Sequence, residues 1–475
     1  MLDFRKYMKT IKQLHEDLKN GSLTVEALVD ESKKTIGDKD KDIHALLGMY
    51  SEDLINSQIE KAKGMFADGT ATVLTGIPVV IKDNILVKGE LATAASKILE
   101  NYHATYDATV IKRLKEAGAI LIARANMDEF AMGGSTENSA YGTTKNPHNI
   151  NRVPGGSSGG SAAVIAYGGV PVSLGTDTGG SIRQPASFCG VVGLKTTYGD
   201  NSRYGVMAMG SSLDQVGPFG KTVEDVEEVY KIITGNDPLD ATSLPLEKRK
   251  HDGIFNKKIG VPISFINREG VDSEVLKNFN ESLEKLKKVG YEVKDISINQ
   301  LEKTLSVYYI IMFAEVSSNL ARYDGIRYGL SHPGETSIRS YFESRTAGFG
   351  PEVRRRILLG TYVLSSGYYD AYYNKANIAR ELLKKEFEKV FEEVDIIATP
   401  TAPTTAFAIG EKSQDPMSMY LADIFTVPVN IVGVPAISIP SGKDTSDLPF
   451  GIQFIASHGR EDRLFTVGKD FEKLY

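Results

Sequence analysis

The sequence predicts an α/β fold, and three observations predict it. A helix, a stop glycine and an apolar strand follow one another at 108–123 (ATVIKRLKEA, Gly118, AILIA). The same order recurs at 273–298, where an amphipathic stretch ends at Gly290 and YEVKDISI follows. That alternation is the rhythm of helices packed on a sheet. Further short apolar runs stand at 76–84, 170–177, 395–406, 434–440 and 449–456. With 475 residues and 41% hydrophobic content the chain can build a large core. Length alone sets a prior of about three domains and also allows one oversized domain.

Composition narrows the function classes. The net charge is −6, so the chain as a whole is not built to hold a polyanion. Its single cysteine, Cys189, excludes a disulfide framework and points to a reducing compartment. The N-terminal stretch carries no apolar h-region, and no signal peptide is expected. The most apolar late stretch, 427–440, is cut by Pro428, Asn430, Pro435 and Pro440, so no membrane span is expected. These readings together predict a cytoplasmic protein.

In chain order, residues 4–20, 24–36 and 51–66 read as amphipathic helices, with Thr24 as the N-cap of the second and Ser51 opening the third. GIPVVIKDN (76–84) reads as a buried strand that ends in a charge at Lys82. After the strand at 119–123, NMDEFAMGGSTENSAYG (126–142) reads as a glycine-bearing loop over a site. A short helix at 161–167 and a strand at 170–177 follow, and another helix opens at 182–189. The charged 221–300 segment reads as a peripheral αβ lobe. Residues 302–393 read as mostly helical, and 461–475 as a terminal helix.

The chemistry concentrates between Val153 and Cys189. GGSSGGSA (155–162) and TDTGGSIR (176–183) put serines among glycines, and each cluster runs straight into apolar or helix-compatible sequence. Glycine lets a backbone turn sharply and approach a ligand closely. A nucleophile and an oxyanion hole need such hydroxyls and bare N–H groups. Ser181 falls at a strand-to-helix junction, where free N–H groups point outward.

Three nucleophile schemes compete. G-x-S-x-G occurs twice, at 155–159 and 156–160, but a nucleophile elbow needs a strand running into it, and KNPHNINRVP is polar. Cys189 lies in an apolar stretch with no nearby histidine, the setting of an inert core thiol. The third scheme joins two serines to a lysine. A serine hydroxyl needs a base, and a lysine can serve when burial lowers its pKa and leaves it neutral. A hydroxyl between them can relay the proton, because it both donates and accepts.

IKDN around Lys82, GGSSGGSAA around Ser157 and GTDTGGSIRQPASFCGVVGLK around Ser181 resemble the amidase signature family, over nearly the whole chain and at the spacing expected of that family. The resemblance implies a single domain over 1–475. In it a central mixed, twisted β-sheet is covered by helices on both faces. Its parts would be an N-terminal helical segment (1–70), a signature core (71–220), the peripheral lobe (221–300) and a sheet-completing part (301–475). It implies Ser181 as the acyl-accepting nucleophile, Ser157 as the bridging serine held by a cis peptide, and Lys82 as the terminal base. The amides of Thr178, Gly179, Gly180 and Ser181 would form the oxyanion hole.

Within the family, NMDEFAMGGSTENS, EVSSNLARYDGIRYG, RRRILLGTYVLSSGYYDAYY and DPMSMYLADIFTVPVN look most like the glutaminase subunits of tRNA-dependent amidotransferases. This implies glutamine as substrate. Arg356 would hold its α-carboxylate and Asp423 its α-amino group, with Tyr308, Gly133 and Ser135 nearby. A guanidinium clamps a carboxylate, and a carboxylate holds an ammonium. The resemblance further implies a heterotrimer with subunits B and C. ATP and Mg²⁺ would sit on the larger partner, which also holds the misacylated tRNA; this chain itself would carry no cofactor and no metal. The alternatives are a silent scaffold subunit, or a stand-alone amidase for a small primary amide. Two features depart from the family pattern: Asp200-Asn201 stands where Arg-Val is usual, and the C-terminal tail is short.

Overall fold

A computed structural model describes residues 9–245, 253–412 and 415–475. Eleven strands form one sheet: β1 (Leu46–Met49), β2 (Pro78–Lys82), β3 (Ile120–Ala125), β4 (Val172–Asp177), β5 (Val192–Lys195), β6 (Gln215–Gly220), β7 (Lys258–Val261), β8 (Glu292–Asp295), β9 (Ile396–Pro400), β10 (Ala436–Lys443) and β11 (Pro449–Ala456). Their order is β1-β3-β2-β4-β6-β5-β10-β11-β9-β7-β8. β2 runs parallel to β3 and to β4, and β7 runs parallel to β8 and β9. The middle, from β4 through β6, β5, β10 and β11 to β9, is antiparallel. The sheet is therefore mixed, as expected, and helices flank it.

The strands read from apolar runs are all present. β2, β3 and β4 are buried along their whole lengths, which is why they read as continuous apolar stretches rather than alternating ones. Helix Thr109–Glu116 crosses from β2 to β3, and helix Gly159–Ala166 from β3 to β4. Gly118 has φ +80° and turns the chain between helix and strand. The helix expected at 24–36 runs on as Val25–Ile43, with the Thr24 hydroxyl accepting from the Ala27 amide. Helix Ile11–Lys19 covers most of the 4–20 expectation, whose residues 4–8 lie outside the described ones.

β1, β5, β6 and β7 carried no clear signal. β6 is QVGPFG, and two glycines and a proline argue against a strand. It forms because both neighbours pair with it in the sheet's centre. β7 and β8 form the far edge of the same sheet, built from the charged 221–300 segment. Asp200 and Asn201 are buried: the Asp200 carboxylate accepts from the Tyr230 hydroxyl at 2.6 Å and from Thr234 Oγ1 at 2.9 Å, and Asn201 Nδ2 donates to the Val216 carbonyl at 2.9 Å. Among the described residues no helix is long and apolar enough to cross a membrane.

Candidate active site

β2 and β4 are adjacent and parallel, with Ile81 opposite Leu174. Their carboxyl ends therefore open at one edge of the sheet, the position at which open α/β sheets place their ligands. Lys82 is the last residue of β2, and Thr176 and Asp177 end β4. The GGSSGGSA turn enters helix Gly159–Ala166. Ser181 lies in the turn between β4 and helix Arg183–Cys189.

Lys82 has no solvent exposure. Its ammonium nitrogen lies 2.8 Å from each of three hydroxyls, Ser157 Oγ, Ser158 Oγ and Thr176 Oγ1. Burial lowers its pKa to about 7, against the opposing pull of the Asp128, Asp177 and Asp214 carboxylates. The three hydroxyls are not equivalent. Ser158 Oγ also lies 3.1 Å from the Thr176 carbonyl, a natural acceptor for its proton. Thr176 Oγ1 already accepts from Asn84 Nδ2 at 3.1 Å. When Lys82 is neutral its nitrogen has a lone pair, and the Ser157 and Thr176 hydroxyls, each 2.8 Å away, keep a proton to donate to it.

The Gly156–Ser157 peptide is cis, the bond that the resemblance implied for this serine. Ser157's segment is clasped from both sides: the Ser157 carbonyl accepts from the Asp128 amide at 3.2 Å, and Gly156 N donates to Gln184 Oε1 at 2.9 Å. The Ser158 amide donates to the Ser181 carbonyl at 3.2 Å, which ties the two Gly/Ser turns together. Ser157 is fully covered, whereas Ser181 is 7% exposed.

The TDTGGSIR loop, the candidate oxyanion loop, is held by a buried ion pair. Asp177 takes Arg183 Nε at 3.0 Å and NH2 at 2.9 Å. Burial would raise the Asp177 pKa, but the adjacent guanidinium overcomes this and holds it at about 2. Asp177 also accepts the Gly180 amide at 2.9 Å and the Ile182 amide at 3.1 Å. The Gly180 N–H, one of the four donors expected from the resemblance, is thus engaged by Asp177. Thr178, Gly179 and Ser181 are left as the candidate donors. Thr178 Oγ1 donates to Asp214 at 2.7 Å, anchoring the loop's first residue.

Tyr308 on helix Thr304–Asn319 packs on this loop: a Cβ added at Gly179 would lie 2.6 Å from the Tyr308 hydroxyl oxygen. Only glycine fits there. Burial raises the Tyr308 phenol, with the Arg356 charge acting against the rise and the Asp423 charge with it. Tyr308 thus touches the loop, the Asp423 turn is tied to it through the Thr426 hydroxyl, and the Arg356 charge acts on both Tyr308 and Asp423. Arg356, on helix Pro351–Leu364, is 4% exposed and donates through Nε to Glu352 at 2.6 Å. Burial lifts the half-buried Asp423 carboxyl to about 7, although Arg356 draws it down.

Gly133 and Ser135 belong to the 126–142 loop, which wraps a buried carboxylate. Asp128 accepts the amides of Ser135, Thr136 and Asn138 at 3.3, 2.9 and 3.1 Å. Gly133 lies against the same side chain, with no room for a Cβ. The structure thus places both residues in the support of the Ser157 segment. Cys189 is buried, with Sγ 3.3 Å from the Pro154 carbonyl, and burial pushes its thiol up, the opposite of what a nucleophile needs. No strand runs into 155–160, so the elbow scheme lacks its scaffold.

Sequence reasoning left Ser158, Thr176, Asp177, Arg183, Asp128, Asp214 and Glu352 without roles. Asp177 and Arg183 sat inside the quoted TDTGGSIR motif, and a charged residue opening an otherwise apolar helix was the available signal. Among the described residues no group of three or more His, Cys, Asp or Glu side chains is placed to hold a metal ion.

Comparison with known proteins agrees with this geometry. Residues 27–465 match the Amidase family. The A-subunit of the glutamyl-tRNA(Gln) amidotransferase of Thermoanaerobacter pseudethanolicus is 50% identical over 473 residues, covering 98% of this chain and 96% of the relative. Its counterpart in Geobacillus thermodenitrificans is 48% identical over 471 residues, with 98% and 96% covered. The crystal structure of the counterpart from Thermotoga maritima superimposes with a TM-score of 0.78 at 41% identity, covering 98% of this chain and 94% of that one. The chain belongs to the amidase family.

Proposed function

We propose that this chain hydrolyses the side-chain amide of glutamine through a glutamyl-enzyme on Ser181 and supplies ammonia to a tRNA-dependent amidotransferase. The observation that carries the reading is a carboxylate, Asp423, whose turn is bonded through Thr426 to the Gly179 carbonyl, together with a buried guanidinium, Arg356, whose charge acts on it. A zwitterionic amino acid offers the complementary charges. Sequence relatives that share half of its residues carry the matching name.

In this reading neutral Lys82 takes a proton from Ser157, which takes one from Ser181 as Ser181 Oγ attacks the amide carbon. The amides of Gly179, Ser181 and Thr178 receive the oxyanion, each donor contributing about 3–4 kcal/mol. The proton returns through Ser157 to the departing nitrogen, and ammonia leaves. Water then attacks the ester carbonyl with the same relay as base, releasing glutamate and restoring Ser181. The ammonia passes to the larger of two partner subunits, B and C of a heterotrimer. There it forms the amide on Glu-tRNA(Gln), Asp-tRNA(Asn) or both, at the cost of ATP with Mg²⁺, in the cytoplasm.

The test is ammonia release from glutamine by the purified chain, alone and with its partner subunits, ATP and misacylated tRNA. Weak release alone, strongly stimulated by the full mixture, supports the reading. Fast partner-free turnover of simple amides, with glutamine ignored, replaces it with a stand-alone amidase. No turnover of any amide under any condition leaves only a scaffold role.

A further inference from the structure

Thr426 sits between the two working parts of the site. It is fully buried and follows Asp423 by one tight turn: the Thr426 and Val427 amides both donate to the Asp423 carbonyl at 3.0 Å. Its hydroxyl lies 2.7 Å from the Gly179 carbonyl oxygen and 3.1 Å from the Asp423 carbonyl. Its own carbonyl accepts Arg183 NH1 at 3.0 Å. One residue therefore bonds the turn that carries Asp423, the oxyanion loop and the arginine that fixes Asp177.

The bond to Gly179 has a specific geometric effect. The Gly179 carbonyl and the Gly180 N–H belong to one peptide unit, and that unit is planar. Its oxygen is held by Thr426 and its N–H by Asp177. With both ends held, its plane cannot rotate, and the flanking amides of Gly179 and Ser181 inherit fixed directions. Gly180 has φ +138°, and an added Cβ there would press on the Thr426 side chain. The two segments are in direct contact, so a shift of the Asp423 turn is passed to the loop.

We infer that Thr426 is a positioning residue that couples capture of the substrate's ammonium at Asp423 to the alignment of the oxyanion donors. The inference rests on the reading of Asp423 as the ammonium-binding group. It makes glutamine's α-amino group a contributor to the chemical step as well as to binding. An interaction that improves only the transition state appears in kcat, not in KM.

The experiment compares glutamine with its analogue lacking the α-amino group, 4-carbamoylbutanoate, on the assembled enzyme. Thr426→Val keeps the shape and removes the hydroxyl. The expected result is a 10- to 100-fold loss of kcat on glutamine with KM changed less than threefold. On the deaminated analogue, already slow in the parent, the loss is expected to be less than threefold. Thr426→Ser restores the glutamine rate. If Thr426→Val fails to fold, Thr426→Cys and Thr426→Ala give the same ratio.

Equal losses on both substrates, or a change confined to KM, overturn the coupling. Asp423→Asn separates this from failure of the underlying reading. If that variant keeps the parent's preference for glutamine over the analogue, Asp423 does not bind the ammonium. If it loses the preference while Thr426→Val affects both substrates alike, only the coupling is wrong. In the double variant the two losses are expected to be less than multiplicative, the signature of residues that act together.

Discussion

The proposed site has two halves built in opposite ways. The proton-relay half comes from strand ends and two glycine-rich turns within about a hundred residues of sequence, from Lys82 to Arg183. Its polar groups are buried and hydrogen-bonded to one another: Lys82 to three hydroxyls, Asp177 to Arg183, Asp128 to three amides. The recognition half comes from helices and a turn in the chain's last 170 or so residues, Tyr308, Arg356 and Asp423, and Asp423 is only half-buried. The first half is a buried polar network held by short-range backbone. The second is a charge pattern assembled from elements far apart in sequence. The difference predicts that changes in the first half abolish turnover of every amide, whereas changes in the second alter which amide is chosen.

The largest expected effect is at Ser181. Ser181→Ala should lower amide turnover by roughly 10⁴-fold or more on glutamine and on simple amides alike. Ammonia release by the purified variant measures it. Activity that survives would remove Ser181 as nucleophile, and a loss confined to glutamine would erase the contrast between the halves.

Next is Lys82, where Lys82→Ala should cost about 10³-fold, within the usual span for a lost general base. Its pH dependence is sharper evidence. In the proposed mechanism the neutral amine is the base, and burial lowers its pKa to about 7. As pH falls below 7 the amine gains a proton and the rate falls, and above 7 the rate levels off. A kcat/KM profile on 4-carbamoylbutanoate, which lacks an ammonium, isolates this group. A rising limb centred near 10 instead would mean that burial does not lower the Lys82 pKa, and an acid limb that survives unchanged in Lys82→Ala would remove Lys82 as the base.

The recognition half adds a second proton to that profile. Asp423 sits at about 7 because burial raises it, and only its ionised form attracts an ammonium. On glutamine, kcat/KM should therefore fall below pH 7 with a logarithmic slope approaching two, one proton for Lys82 and one for Asp423. On the deaminated analogue, or in Asp423→Asn, the slope should return to one. The same variant should lose about 10- to 150-fold on glutamine, the value of a charge-assisted hydrogen bond of about 1.5–3 kcal/mol. A slope of two that persists in Asp423→Asn would assign the second proton elsewhere.

What could be read from sequence follows the same division. Ser157 and Ser181 stood out because each sits among glycines in a turn, whereas Lys82, the last residue of a buried strand, was singled out only together with the family resemblance. The apolar strands β2, β3 and β4 were legible because full burial leaves a continuous run. Arg356 was not legible from its own surroundings, since RRRILL reads as a solvated helix face; only resemblance singled it out. Tertiary packing decides the matter: Arg356 turns inward and is 4% exposed, while Arg355 on the same helix is part-exposed over the Tyr420 ring. β6 stayed hidden for the same reason, because its glycines and proline are tolerated only between two paired neighbours. The bond from the Gly180 amide to an aspartate three residues earlier was hidden too, a contact that spacing alone does not reveal.

The smallest expected effect tests how the recognition half is aimed. Glu352 lies one helical turn before Arg356 and accepts from its Nε at 2.6 Å, and its other oxygen accepts from Arg355 Nε at 2.9 Å. Glu352 thus occupies one edge of the Arg356 guanidinium and leaves the remaining edge to a ligand. Arg356 NH1 lies 3.7 Å from the Met312 sulfur, a weak partner that a carboxylate would displace. Glu352→Gln keeps the shape and loses the charge that orients both arginines. KM for glutamine should rise about 5- to 10-fold with kcat within twofold, because the α-carboxylate is held alike in ground and transition states. A primary amide without a carboxylate should show no change, and Glu352→Asp should recover part of the loss. A fall in kcat on both substrates would instead join Glu352 to the relay half and move the boundary between them.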